Sequence, residues 1–95
     1  MTVDNIRDIV LTVVQKYPIS KVILFGSRAE GTNDENSDVD LVIEFYAPIT
    51  LITLSNLRYE LEEALKLDVD VIHGPITEND MIEVGKEVVL YAAYG

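Results

Sequence analysis

Gly26-Ser27, Asp38-Val39-Asp40 and Asp70 are the residues of this chain whose types and spacing could carry chemistry. Ten residues separate Ser27 from Asp38, so the glycine, the serine and the Asp-x-Asp pair fix four positions. At average residue frequencies, a chance match in a chain of this size is on the order of one in a thousand. On a strand, Asp38 and Asp40 would leave the same face, because side chains alternate with a period of two. Asp70 as a third carboxylate completes a set of hard oxygen donors. Such a set suits Mg²⁺, which completes its octahedron with water and substrate phosphates. Two ions about 4 Å apart would stabilise the attacking and leaving oxygens of an in-line displacement. Bare carboxylates held this close repel one another, and a bound metal is the natural relief. Gly26 allows close backbone approach to a phosphate. Ser27 offers a hydroxyl and a backbone N–H in a turn able to form an anion-binding nest. Arg28 is the only base near these acids and is the side chain expected to neutralise a triphosphate. Together these residues read as phosphoryl-type transfer from a nucleotide.

The elements that must position them follow from periodicity. Ile6, Ile9, Val10, Val13 and Val14 keep helical spacing, so a helix is expected over Val3–Tyr17, capped by Thr2 or Asp4 and ended by Pro18. Lys21–Phe25 is a short β-branched apolar run and reads as a buried strand. The segment 26–36 is rich in turn formers and reads as a loop with one helical turn near Ser27–Glu30. Ser37–Phe45 reads as the second strand. Thr50–Lys66 reads as an amphipathic helix with an apolar stripe of Leu51, Leu54, Leu57, Leu61, Ala64 and Leu65. Leu67–His73 alternates and reads as the third strand. Thr77 and Asp80 resemble a helix start, so a helix from about Glu78 is expected, weakened near Gly85. Pattern alone does not decide whether Val88–Tyr91 continues that helix or runs extended. The expected fold class is therefore α/β (α+β): a small mixed sheet with helices packed on it, in the order α-β-β-α-β-α.

These residues resemble the polymerase-β-like nucleotidyltransferase superfamily, most closely its smallest members, the minimal nucleotidyltransferases. The resemblance is carried by Gly26-Ser27-Arg28-Ala29-x-Gly31, Ser37-Asp38-x-Asp40-Leu41, Val69-Asp70-Val71 and Val88-Val89-Leu90-Tyr91, and spans roughly residues 20 to 91. It implies that Asp38, Asp40 and a third carboxylate bind two Mg²⁺ ions, and that the third sits near the acceptor hydroxyl as its base. It implies that the Gly-Ser turn holds the β and γ phosphates of ATP. Asp68 and Asp70 share one strand face and both compete for the third position. Asp70 aligns better, being flanked by Val69 and Val71, whereas Asp68 directly follows a helix. Many minimal members are the antitoxin half of a two-gene module with a helical HEPN ribonuclease toxin. For those, the resemblance implies toxin binding and transfer of AMP from ATP to a toxin tyrosine.

Composition bounds the alternatives. The 95 residues give one expected domain spanning 1–95, with 48% hydrophobic residues, enough for a core. The absence of cysteine excludes a disulfide framework, a thiol nucleophile and Cys-ligated zinc. No signal peptide pattern and no apolar run near the roughly 20 residues of a membrane span are visible, so a cytoplasmic, non-membrane protein is expected. The formal net charge of −10 is uneven: residues 1–28 carry two acids and four bases, and six acids but no base lie between Arg28 and Arg58. This balance argues against direct nucleic-acid binding and suits a basic protein partner or divalent cations. Glu30, Asp34 and Glu35 read as a solvated loop. His73 reads as a strand-end histidine. Arg58 reads as an i, i+4 partner of Glu62. Tyr46, Tyr59, Tyr91 and Tyr94 read as packing residues rather than adenine-stacking ones. Edge strands on so small a sheet leave a homo-oligomer open. Three function classes remain: an AMP-transferring enzyme acting on a partner protein, a binding-only antitoxin, and a small-molecule transferase of the antibiotic-modifying type.

Overall fold

The computed structural model describes residues 2–31, 37–74 and 87–93. Helix α1 (Val3–Val14) is capped by the Thr2 side chain, which accepts the Asn5 N–H. It buries Ile6, Val10, Val13 and Val14. The helix ends before Tyr17, because residues 15–18, Pro18 among them, form turns. Strand β1 (Ile19–Phe25) leads through Gly26 into a single helical turn, α2 (Ser27–Glu30). Strand β2 (Val39–Phe45) is followed by helix α3 (Leu51–Leu65), with Thr50 as N-cap and Lys66 as a left-handed C-cap. Strands β3 (Val69–His73) and β4 (Val88–Ala92) complete the sheet.

The strand order is β3-β2-β1-β4. The β2–β3 pair is parallel and the other two pairs are antiparallel. A parallel pair cannot be joined by a hairpin; α3 supplies the required crossover. Helices α1 and α3 pack against each other, and the core joins their apolar faces to Val22, Leu24, Leu41, Ile43 and Val69 of the sheet.

The structure settles one open point and adds a strand: Val88–Tyr91 runs extended, so among the described residues the sheet has four strands rather than three. The reason is tertiary: β4 covers the edge of β1 that β2 leaves unpaired. The buried line of α3 is Leu57, Leu61 and Leu65, while Leu51 is 81% exposed because the first turn projects beyond the core. The helix expected from about Glu78, with its start at Thr77 and Asp80 and its weakening at Gly85, lies outside the described residues, as do Tyr94, Asp34 and Glu35. Among the described residues no helix is long and apolar enough to cross a membrane.

The α1–α3 contact carries a polar clasp. Tyr17 Oη donates to Glu60 Oε1 at 2.5 Å, and Lys16 Nζ donates to Glu60 Oε2 at 3.1 Å. Burial and the neighbouring Glu60 carboxylate push the Tyr17 phenol up to about 12. The folded state therefore holds this proton more tightly than the unfolded chain. Its contribution is complete below the ordinary tyrosine range and is lost as pH rises toward about 12. Tyr17→Phe should cost about 1 kcal/mol near neutral pH. Its melting temperature should also fall less steeply than that of the wild type above about pH 10. Parallel melting curves over that range would remove the clasp from the account.

Candidate active site

The register of the sheet builds the site. Phe25 at the end of β1 pairs with Asp40, and Asp40 pairs with Asp70 across the parallel β2–β3 ladder. Paired residues share a face and adjacent strands lie about 4.8 Å apart. Phe25, Asp40 and Asp70 therefore form a row across three strands at one end of the sheet, and Gly26 follows directly where β1 ends. Burial, the charge of Asp70 and a hydrogen bond with Asp70 hold the Asp40 carboxyl above the usual carboxylate range, and the charge of Asp38 adds to this. The ion pairs Arg7–Asp4, Lys16–Glu60, Arg58–Glu62 and Lys66–Glu63 include neither Asp40 nor Asp70. Asp38 stands exposed just before β2. Asp68 also lies outside the strand, and its carbonyl accepts the Val39 N–H at 2.9 Å. Of the two acids competing for the third position, Asp70 is the one the register brings to Asp40.

The turn after β1 is shaped by two glycines. Gly26 has φ 77° and ψ −157°, a conformation open essentially to glycine alone. A Cβ on Gly26 would run into Asp40 Oδ2, so the turn and the acid pair are in direct contact. The Gly26 carbonyl accepts the N–H groups of Ala29 and Glu30, both at 3.1 Å, which closes the turn. The N–H and hydroxyl of Ser27 make no hydrogen bond among the described residues, leaving both donors for an anion.

Arg28 is 4% exposed, and its Nε and Nη2 donate to the Ser37 carbonyl at 3.1 and 2.9 Å. These bonds tie the turn after β1 to the residues entering β2. Tyr46 and Tyr59 are exposed, and His73 stacks on Phe45 with ring centroids 5.1 Å apart. None of these three comes to the acid row.

Residues 6–91 match the family described as the nucleotidyltransferase domain, almost the whole chain. The chain belongs to this family. It is 35% identical over 72 residues to a Methanocaldococcus jannaschii chain provisionally named a protein adenylyltransferase, covering 76% of this nucleotidyltransferase and 77% of that relative. Its fold matches a toxin–antitoxin crystal structure with AMP-PNP, with a TM-score of 0.75, 21% identity and coverage of 93% of this chain and 74% of that one. It also matches the complex of a tri-AMPylated Shewanella oneidensis HEPN toxin with its MNT antitoxin. That match has a TM-score of 0.70, 16% identity and coverage of 94% and 71%. At these identities the two solved structures establish the mixed α/β fold, while the family match makes the chain a transferase of nucleotidyl groups.

The acids of this nucleotidyltransferase fit Mg²⁺ by donor chemistry. They are hard carboxylate oxygens, and the Asp40–Asp70 pair carries uncompensated charge of the kind a divalent cation relieves. The fit is not a closed cage: among the described residues no three acids or histidines are gathered as a metal cluster. Mg²⁺ needs only one or two carboxylates when substrate phosphates complete its shell. The Asp40–Asp70 pair could supply these, and the charge of Asp38 acts on Asp40 beside them.

Proposed function

We propose that this nucleotidyltransferase transfers AMP from ATP, with Mg²⁺, to a tyrosine hydroxyl of a HEPN-type toxin in the cytoplasm, and so acts as the antitoxin of the pair. The observation that carries the reading is the contact between the Gly26 turn and the Asp40 carboxylate, with Asp70 beside it. Phosphate-binding donors and metal-binding acceptors are thereby adjacent, as transfer at the α-phosphorus requires. The provisional name of the archaeal relative and the AMPylated toxin in the solved neighbour support the choice of acceptor.

Ser27 would donate its hydroxyl and N–H to the outer phosphates, and Gly26 would let them approach the backbone. Asp70 would accept the proton of the attacking tyrosine. The tyrosine oxygen forms a bond to the α-phosphorus, the bond from that phosphorus to the oxygen bridging to the β-phosphate breaks, and pyrophosphate leaves. Asp38, Asp40 and Asp70 would hold Mg²⁺, which would supply positive charge to offset that developing on the reacting phosphate. Arg28 would keep the turn at its height above β2.

The test is incubation with α-labelled ATP, Mg²⁺ and a HEPN-type toxin. Label should appear on a toxin tyrosine and vanish with Asp38→Asn. A toxin left unlabelled yet still silenced by that variant would favour neutralisation by binding alone. Label on a small-molecule hydroxyl instead would favour the antibiotic-modifying class.

A further inference from the structure

Asp70 occupies the second position of β3, a five-residue strand at the edge of the sheet. Among the described residues only β2 holds it by strand pairing. The Val39 N–H donates to the Asp68 carbonyl at 2.9 Å. In a parallel ladder this turns the backbone groups of Asp68 and Asp70 toward β2 and those of Val69 outward. Both outward groups of Val69 are nevertheless satisfied. Its N–H donates to Glu62 Oε2 at 3.1 Å, and its carbonyl accepts from Arg58 Nε at 3.0 Å. Arg58 and Glu62 lie one turn apart on α3 with Nε and Oε2 3.8 Å from each other. Two helix side chains thus take the place of a neighbouring strand at the residue immediately before Asp70.

We propose that Arg58 and Glu62 are positioning residues that hold Asp70 against Asp40 and so set the affinity of the site for its divalent cation. The inference rests on the metal-dependent transferase reading and names residues that act on that site without touching its ligands. The Val69 carbonyl and the Asp70 N–H belong to one peptide plane, so the guanidinium fixes the plane from which the Asp70 side chain departs. Glu62 fixes the preceding plane. The clamp opposes two tendencies at once: fraying at the start of an edge strand, and mutual repulsion of the Asp40 and Asp70 carboxylates. An arginine suits the task because Nε has a fixed direction within a planar group, which a lysine ammonium lacks.

The experiment measures Mn²⁺ binding to the full chain by water-proton relaxation, with amide hydrogen exchange at Asp70 as a second readout. Glu62→Ala and Arg58→Ala should each weaken Mn²⁺ about 10-fold, the scale of losing a group that orients a metal ligand. Asp70 exchange should accelerate while α1 and β1 amides stay protected. Glu62→Gln keeps an acceptor for the Val69 N–H and should stay within about 3-fold of wild type; it also serves if the alanine variants fail to fold. Unchanged Mn²⁺ affinity in folded Glu62→Ala and Arg58→Ala overturns the positioning role and leaves the transferase reading standing. A wild-type chain that binds no Mn²⁺ overturns both.

Discussion

Gly26→Ala should reduce AMP transfer at least about 100-fold, the usual cost of displacing a reacting group by about an ångström. Two independent effects push the same way. An alanine at φ 77° and ψ −157° sits in a region reserved for glycine, at a cost of about 1–3 kcal/mol. The new methyl would also collide with Asp40 Oδ2. Relief requires the Asp40 carboxylate to swing aside or the turn to lift away from β2. On the proposed reading, the first would remove a metal ligand and the second would withdraw Ser27 from the phosphates. The melting temperature should drop by several degrees, since each 1 kcal/mol shifts a domain of this size by about 4–8 °C. The double variant Gly26→Ala/Asp40→Ala separates the contributions. Removing the carboxylate abolishes the collision but not the backbone strain, so it should be less destabilised than the sum of the single variants. A Gly26→Ala protein with wild-type transfer would mean that turn and acid pair do not act as one site.

The acid row was legible in sequence because it depends on local rules. Alternation puts Asp38 and Asp40 on one face of the second expected strand and Asp68 and Asp70 on one face of the third, and a glycine before a helical turn marks Gly26. What alternation cannot supply is which strands are neighbours. Asp68 and Asp70 have the same parity, so only the register that pairs Asp40 with Asp70 separates them. The same limit explains β4. Val88-Val89-Leu90-Tyr91 is apolar throughout, without a period that distinguishes helix from strand, and the exposed edge of β1 decides its state.

The two arginines show a different limit. Arg28 and Arg58 carry the same charge, and composition reads both as surface or ligand-binding groups. In the fold each donates to a backbone carbonyl: Arg28 to Ser37 and Arg58 to Val69. One fixes the approach to Asp38 and the other the approach to Asp70. Their i, i+4 and loop spacings hinted at Glu62 for Arg58 and at a phosphate for Arg28. A carbonyl nine or eleven residues away leaves no trace in residue type, because every residue has one.

Asp40→Asn should abolish transfer and stabilise the metal-free protein, two effects of opposite sign from one carboxylate. The loss of a metal-binding oxygen and of its charge should lower the rate by about 1,000-fold or more, as expected when several kcal/mol of transition-state charge stabilisation disappear. The gain follows from linkage. Burial and the charges of Asp70 and Asp38 raise the Asp40 pKa in the folded state above its unfolded value. The folded protein then binds this proton more tightly, so stability is greatest with Asp40 protonated and falls as pH rises through the raised folded pKa. Where it is ionised, the group opposes folding. Asparagine removes that opposition and can donate its amide to the Asp70 carboxylate. The melting temperature of metal-free Asp40→Asn should therefore exceed that of wild type at neutral pH. The difference should shrink on acidification, as protonation removes the same charge from the wild type. Added Mg²⁺ should raise the melting temperature of the wild type and close the gap from the other side, because a cation bound to the acid row offsets the repulsion that the substitution deletes. A variant that melts below wild type without metal would show that Asp40 is held by a compensating cation of the chain itself. The acid row would then be a structural ion network rather than a site left charged for its ligand.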